Sequence, residues 1–201
     1  MFSANIERDQ ISEDILKSIV FGLTGKNASG KGTVAEILKK KNFTYHSLSD
    51  SLRDELKSLK KEETRENLID IGNELREKGG PGVLADKLIP KLNSENNHIV
   101  DSIRNPLEVI SLRKGTLLRR FFLISVDANS RLRYDRLCSR GRTGDTDSWE
   151  KFVEQEKKEE NNDDPNKQQL SRTMQMADYI IDNSGTLEEL EAQVNKIISS
   201  L

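Results

Sequence analysis

A short segment with two spaced glycines and a lysine constrains this chain most strongly. It runs Phe-Gly-Leu-Thr-Gly-Lys-Asn-Ala-Ser-Gly-Lys-Gly-Thr over residues 21–33, between an apolar stretch and an amphipathic one. Backbone N–H groups between Gly25 and Gly30 can converge on phosphate oxygens, and Lys31 can reach the β- and γ-phosphates of a nucleotide. The start of the following helix adds partial positive charge. The segment predicts a phosphate-binding loop (P-loop) that binds ATP. Its predicted ATP-binding residues are Gly25, Lys26, Asn27, Ala28, Ser29, Gly30, Lys31, Gly32 and Thr33.

One position departs from the general P-loop motif. Gly32 stands where that motif has Ser or Thr, so the nearest hydroxyl for a metal ion belongs to Thr33. The cofactor that this chemistry requires is Mg²⁺, bound together with ATP. The alternative is a glycine-rich turn that binds no ligand. Apolar residues at helical spacing from Val34 to Leu38 favour the P-loop.

Composition and charge exclude several other classes of protein. The 201 residues carry 32 basic and 34 acidic side chains, and this balance gives no overall attraction to nucleic acid. A single cysteine, Cys138, excludes an internal disulfide framework and fits a reducing compartment. No apolar run approaches the ~20 residues of a membrane span. We expect a soluble, cytoplasmic protein with a polar lead-in over residues 1–17 and a single domain over residues 18–201.

Apolar segments that read as strands alternate with helical segments along the chain. The predicted strands cover residues 18–23, 43–48, 98–100, 121–126 and 179–181. This alternation predicts an α/β fold, a three-layer P-loop NTPase with about five parallel strands and helices on both faces. Helices are expected from about Ser51, capped by Ser49 or Asp50, then over residues 65–78 and over residues 83–92.

Polar residues follow the predicted strands where each strand ends. They are Thr24, Ser49, Asp50, Asp101, Ser102, Arg104 and Asp127. In open parallel sheets, ligands bind at the carboxyl ends of the strands. We therefore expect these residues to share one site. Asp101, which ends a strand of Ile and Val, is predicted to hold Mg²⁺ together with Thr33, in the manner of a Walker B carboxylate. The alternative for Asp101 is a helix or turn cap.

Two arginines are candidates for binding the group that receives a phosphate. Asp50 and Arg53 lie one helical turn apart, and Arg53 could bind an acceptor phosphate through two hydrogen bonds. Arg104 follows the strand that ends at Asp101. The alternative for Asp50 and Arg53 is a surface ion pair. Gly72 lies inside an otherwise strong helix, which predicts that a neighbouring helix or the acceptor approaches its backbone. The helices of residues 50–92 are assigned to this acceptor side.

The segment of residues 139–165 differs from the rest of the chain. It begins rich in glycine and arginine and continues as a strongly charged helix over residues 148–160, which we expect to bury little. These features predict a small mobile lid whose Arg140 and Arg142 approach the triphosphate when it closes. The alternative is a solvated surface excursion without a role. Together with the residues above, the candidate catalytic residues are Lys31, Asp50, Asp101, Arg140 and Arg142.

Three segments of the chain resemble the nucleoside monophosphate kinases. They are the P-loop of residues 25–33, Ser-Asp-Ser-Leu-Arg over residues 49–53 and Asp-Ser-Ile-Arg-Asn-Pro over residues 101–106. The chain is most similar to archaeal nucleotide kinases related to CMP and AMP kinases, and to the kinase-like N-terminal module of deoxycytidylate deaminase-type proteins. This likeness rests on residues 64–76, 101–109 and 126–128. The ending, over residues 177–185, is similar to dephospho-coenzyme A kinase.

The resemblance implies roles for several residues. Arg53 and Arg104 would hold the acceptor phosphate, Arg140 and Arg142 would contact the transferred phosphate, and Arg136 would lie on the helix that leads into the lid and help to bind ATP. Ser102 and Ile103 replace the Gly and the aromatic residue of that family, and the lid has no zinc-binding cysteines. The His-x-Glu and Cys-x-x-Cys motifs of deaminases do not occur in the sequence, which excludes deamination.

Three functions remain open at this point. The first is a kinase that transfers the γ-phosphoryl group of ATP to a nucleoside or deoxynucleoside monophosphate. The second transfers it to a hydroxyl, as dephospho-coenzyme A kinase does, with Asp50 as the base. The third is a nucleotide-binding or ATP-hydrolysing module that regulates a protein partner. All three bind small-molecule nucleotides.

Overall fold

A computed structural model describes residues 18–116, 120–141, 148–160 and 163–201. The lead-in expected over residues 1–17 lies outside them. The strands are β1 (Ile19–Thr24), β2 (Phe43–Ser47), β3 (Asn97–Asp101), β4 (Arg120–Asp127) and β5 (Tyr179–Asp182). The first helices are α1 (Lys31–Lys39), α2 (Leu48–Ser58), α3 (Arg65–Gly79) and α4 (Val83–Leu88), which a 3-10 turn (Ile89–Lys91) follows. The later helices are α5 (Pro106–Gly115), α6 (Ser130–Arg140), α7 (Trp149–Glu160), α8 (Leu170–Gln175) and α9 (Leu187–Ser199).

The strands form one sheet in the order β2-β3-β1-β4-β5, and every neighbouring pair is parallel. β1 lies at the centre, where Gly22 pairs with Val100 on one side and with Leu123 on the other. The predicted α/β fold with about five parallel strands is confirmed. Because the strands are parallel, the loops after β1, β2 and β3 meet at the same edge of the sheet.

Side chains of β1 alternate between two cores, as the period of a strand requires. Val20 contacts the core that α2, α3, α4 and α5 cover, and Phe21 contacts the core that α1 and α9 cover. Both side chains are fully buried. The sheet is therefore the middle of three layers.

Local capping explains where two helices begin and corrects one expectation. Thr64 caps α3 as predicted, since its hydroxyl accepts the N–H of Asn67 at 3.1 Å. The expected cap at Ser49 or Asp50 is wrong, because β2 ends earlier and Ser47 caps α2 by accepting the N–H of Ser49 at 3.2 Å.

Two further expectations about helices need correction. The helix predicted over residues 83–92 ends at Leu88 and continues as a 3-10 turn, in which Pro90 lacks the N–H that an α-helix would use. The charged helix α7 was expected to bury little. Instead, Phe152 of α7 is only 1% exposed and packs against the rings of Tyr134 and Trp149.

Candidate active site

A cavity of about 940 Å³ lies at the carboxyl ends of β1, β2 and β3. One wall is the loop of residues 27–33, which follows β1. The second wall comes from the ends of β2 and β3 and from helices α2 and α3, and the third comes from α6. The site is therefore built by the sheet topology, which brings together loops that are far apart in the sequence.

The loop after β1 has the tight curvature that binding phosphate through backbone N–H groups requires. Gly25 and Gly30 have φ angles of 139° and 101°, and Ala28 has a φ of 57°. A side chain at Gly25 would overlap the carbonyl oxygen of Val126, and one at Gly30 would overlap the amide of Asn183. The two glycines therefore let the loop pack directly against β4 and the segment after β5.

Lys31 starts helix α1 and lines the cavity. Its ammonium Nζ donates to the carbonyl oxygens of Gly25 at 2.7 Å and Lys26 at 2.8 Å, so the side chain is folded along its own loop. Thr33 lies on the first turn of α1, exposed to the same cavity. A phosphate chain lying along the loop would meet both groups and the N-terminus of α1.

Asp101 ends β3 and presents a fixed carboxylate to the cavity. One oxygen accepts the N–H of Ser102 at 2.6 Å, and the other accepts the hydroxyl of Tyr45 at 3.0 Å. Burial, together with the charge of Asp101, raises the pKa of Tyr45, which keeps the phenol protonated as a donor. Ser102 has a φ of 67°, which turns the chain immediately after the strand.

The residues present fit a Mg²⁺ ion that is bound mainly by a nucleotide. Among the described residues, no three His, Cys, Asp or Glu side chains cluster as an all-protein metal site. Asp101 and Thr33 nevertheless line the same cavity and offer a carboxylate and a hydroxyl oxygen. Hard oxygen ligands of this kind, few in number and completed by phosphates and water, are what Mg²⁺ uses in nucleotide sites.

The acceptor-side candidates do not all reach the cavity. Arg53 and Arg104 line it. The carboxylate of Asp50 lies outside the lining and pairs with Arg53 at 3.0 Å, and Arg53 also binds Glu63 at 2.7 Å. Gly72 lies outside the lining too.

Gly72 faces a neighbouring helix. A Cβ atom at this position would lie 3.5 Å from Leu52 of α2 and 3.2 Å from the guanidinium of Arg76. The missing side chain thus leaves room for close packing of α3 on α2. The apolar residues that α3 contributes to the cavity are Leu68 and Ile69.

Helix α6 brings two arginines to the cavity. Nη2 of Arg136 donates to the carbonyl oxygen of Asn183 at 2.9 Å, while its Nη1 is buried and has no hydrogen-bond partner among the described residues. Arg140 donates to the side-chain oxygen of Asn27 in the loop at 3.1 Å. Arg142 lies outside the described residues. Cationic groups therefore line the cavity on the α6 side as well as at the loop.

Two residues expected in the shared site lie elsewhere. Thr24 is fully buried, and its hydroxyl donates to the carbonyl oxygen of Ile103 at 2.8 Å. Asp127 accepts the N–H of Ala128 and lies 3.4 Å from Arg133. Neither lines the cavity, because a strand-end position alone does not determine which way a side chain points.

Sequence reasoning missed several residues that line or support the cavity. Tyr45 lies two residues before Ser47 on β2, so both side chains share one face of the strand, and this period could have placed both on the side of Asp101.

Arg133 of α6 is only 2% exposed and binds Glu156 of α7, with 3.0 Å between Nη2 and Oε2. The same guanidinium donates to the carbonyl oxygen of Asn27 at 3.4 Å. Because the partner of this buried arginine lies 23 residues further along the chain, no local sequence pattern indicates the pair.

A family model and several archaeal proteins match the sequence of this chain. The family model described as an AAA domain (AAA_18) matches residues 22–162. A UPF0200 protein of Pyrococcus furiosus is 32% identical over 183 residues, which cover 89% of this chain and 95% of that protein.

Solved structures of kinases share the fold. The structure of a sugar kinase from Janibacter sp. has a TM-score of 0.55 at 12% identity, covering 90% of this chain and 95% of that chain. The structure of a gluconokinase from Sinorhizobium meliloti has a TM-score of 0.52 at 14% identity, covering 91% and 94%. Among the described residues, every helix is too short or too polar to cross a membrane.

Proposed function

Because the chain belongs to the AAA_18 domain family and to the UPF0200 family, and has the fold of P-loop kinases, we propose that it is a kinase. The proposed reaction transfers the γ-phosphoryl group of ATP to the phosphate of a nucleoside or deoxynucleoside monophosphate. The observation that carries this proposal is the cavity itself, in which the P-loop faces Arg53 and Arg104. A donor triphosphate and an acceptor phosphate both need cationic partners, and the two walls supply them separately.

The donor side has the groups that phosphoryl transfer requires. Lys31 would leave the loop carbonyl oxygens to bind the β- and γ-phosphates, and the loop amides would bind the phosphate oxygens. Arg136 and Arg140 would neutralise charge that develops on the transferred group, and Arg142 is proposed to join them from the lid. A Mg²⁺ ion held by Thr33, Asp101 and the nucleotide would offset the negative charge of the β- and γ-phosphates.

The acceptor side favours a phosphate that needs no base. The second ionisation of a phosphate monoester occurs near pH 6, so the attacking oxygen is already ionised near neutral pH. Arg53 and Arg104 would bind this group, with Asp50 and Glu63 orienting Arg53 through their ion pairs. Leu68 and Ile69 of α3 would contact the nucleobase on the same wall. Gly72 would let α3 approach closely enough to form that wall.

The test is product analysis with a panel of ribo- and deoxyribonucleoside monophosphates and Mg-ATP. We expect at least one monophosphate to yield the corresponding diphosphate. The matched control is Lys31→Ala, which keeps the loop backbone but removes the ammonium group. If no monophosphate gives more diphosphate with the wild-type chain than with Lys31→Ala, this proposal is wrong.

A hydroxyl acceptor is a second candidate, because a carboxylate lies in the cavity. Asp50, the base expected for such a reaction, does not line the cavity, whereas Asp101 lines it and is held by Tyr45 and Ser102. A nucleophilic hydroxyl needs a base within about 3 Å. Phosphorus NMR separates the two reactions, since transfer to a hydroxyl yields a phosphate monoester and transfer to a phosphate yields an anhydride. Nucleotide binding with neither product would favour a regulatory module with a protein partner.

A further inference from the structure

A buried carboxylate holds the backbone that carries Arg104. Glu108 of α5 has no exposed surface, and its Oε2 accepts the backbone N–H groups of Arg104 at 2.8 Å and Asn105 at 3.1 Å. With Asn105 as the N-cap, this contact forms a capping box. The direction in which the side chain of Arg104 leaves the backbone is therefore set by Glu108, which does not line the cavity.

The charge of Glu108 is balanced from a different helix. Arg76 of α3 is 3% exposed and donates to Oε1 of Glu108 from Nε at 3.2 Å and from Nη2 at 2.9 Å. An unpaired buried carboxylate would be strongly unfavourable, and the two hydrogen bonds from Arg76 give Glu108 the partner of opposite charge that its burial requires. Gly72, one turn earlier on α3, leaves the space that the guanidinium of Arg76 occupies.

The same backbone is also held from the other side. The side-chain amide of Asn105 donates to the carbonyl oxygens of Pro165 at 2.8 Å and Lys167 at 2.9 Å. The carbonyl oxygen of Arg104 accepts the N–H of Gln169 at 3.0 Å. Every polar backbone group of Arg104 thus has a fixed partner, and that partner comes from α5 or from the chain preceding α8.

We infer that Arg76 and Glu108 are positioning residues for Arg104 and thereby set the affinity for the acceptor. This inference rests on the proposed function, in which Arg104 binds the acceptor phosphate. Helix α3 supplies both Arg76 and the cavity residues Leu68 and Ile69. The ion pair therefore fixes the position of Arg104 relative to the apolar residues that α3 contributes to the same wall of the cavity. A displacement of about 1 Å at such a position is enough to change binding and rate severalfold or more.

The experiment is a double-mutant cycle between Arg76→Met and Arg104→Ala. We expect Arg76→Met alone to raise the KM for the acceptor about tenfold and to leave the KM for ATP within about twofold. In the Arg104→Ala background, Arg76→Met is expected to raise the acceptor KM no further. The matched control is Arg113→Met on the same helix as Glu108, which removes a half-exposed ion pair with Asp178 and leaves both KM values unchanged.

Equal effects of Arg76→Met in both backgrounds, or a parallel rise in the KM for ATP, would overturn the inference. If Arg76→Met does not fold, Glu108→Gln replaces it in the cycle. That variant keeps the side-chain volume, but its amide has a single oxygen. This oxygen cannot accept both from Arg76 and from the backbone N–H groups of Arg104 and Asn105. The same non-additivity with Arg104→Ala is expected.

Amide hydrogen exchange separates this inference from the proposed function. Exchange at residues 104 and 105 is expected to become faster in Arg76→Met, with strand β3 unchanged, whether or not any acceptor is phosphorylated. Unchanged exchange at these two residues would refute the positioning role. Absence of product from the wild-type chain would instead refute only the kinase reaction.

Discussion

At the scale of residues, burial disfavours the charged form of His46, which pairs with His98 between two strands. Nε2 of His46 on β2 lies 3.1 Å from Nδ1 of His98 on β3, and Nε2 of His98 lies 2.9 Å from the carbonyl oxygen of Asn93. His98 therefore donates to Asn93 and accepts from His46. Burial lowers the pKa of His46 below its ordinary value, followed by the repulsion that a protonated His46 would meet from a protonated His98 and from Lys91.

This lowered pKa predicts a loss of stability in mild acid. As the pH falls below about 6.5, the unfolded chain takes up a proton at His46 before the folded chain does. The free energy of unfolding then falls by at most about 1.4 kcal/mol per pH unit, until the folded pKa is reached. Urea unfolding of the wild type and His46→Gln from about pH 7.5 to about pH 5.5 measures this effect. The stability advantage of the wild type should shrink over that range, and a constant difference would contradict the expectation.

At the scale of elements, helix α7 is attached to the P-loop through one arginine. Arg133 of α6 binds Glu156 of α7 through Nη1 and Nη2, and its guanidinium lies 5.5 Å from the ring centre of Phe152. It also reaches the carbonyl oxygen of Asn27 in the loop. The lid proposed over residues 139–165 thus has an anchored part, because α7 contributes a buried aromatic side chain and an ion pair to the domain.

Glu156→Gln is expected to loosen this attachment. The substitution removes the closer of the two carboxylates around the 2%-exposed Arg133 and leaves Asp127 at 3.4 Å, which should lower the free energy of unfolding by about 2 kcal/mol. Amide hydrogen exchange in residues 149–157 should rise more than in α1. The matched control is Glu36→Gln, which removes an exposed pair with Lys39 and should cost less than about 0.5 kcal/mol. Equal changes in the two variants would show that Arg133 does not anchor α7.

At the scale of the whole molecule, ligand binding should be visible as global stability. A nucleotide bound at the P-loop would contact the segment that joins β1, the central strand of the sheet, to α1. Binding to the folded chain alone stabilises it by about 2.7 kcal/mol at a ligand concentration of 100 Kd. For a domain of this size, that energy corresponds to a rise in Tm of about 5–10 °C.

Thermal unfolding with and without Mg-ATP tests this expectation. The wild-type chain should show the rise in Tm, and Lys31→Ala should show little of it. A wild-type Tm that does not respond to millimolar ATP or GTP would remove the basis for every proposed catalytic role. An equal response in Lys31→Ala would place the nucleotide somewhere other than the P-loop.

Local sequence patterns predicted most of the fold and several of the residues that line the cavity. The P-loop spacing, the Thr64 cap and the alternation of strands with helices depend on neighbouring residues, so a single sequence reveals them. The contributions of Arg53 and Arg104 to one cavity with Lys31 follow from parallel strands ending at one edge. The sequence did not predict that Asp50 lies outside the cavity lining, because its side chain could turn toward Arg53 as readily as toward the cavity.

Local features of the sequence are enough to predict a parallel sheet with a P-loop, since the spacing of Gly25 and Gly30 and the apolar periodicity involve only neighbouring residues. Contacts between distant elements decided which buried charges and hydroxyls support that loop, Asp101 and Arg104. Arg76 meets Glu108 across 32 residues, Arg133 meets Glu156 across 23, and Tyr45 meets Asp101 across 56. A charge removed from water needs a partner of opposite sign, and packing of distant elements alone determines which residue that partner is.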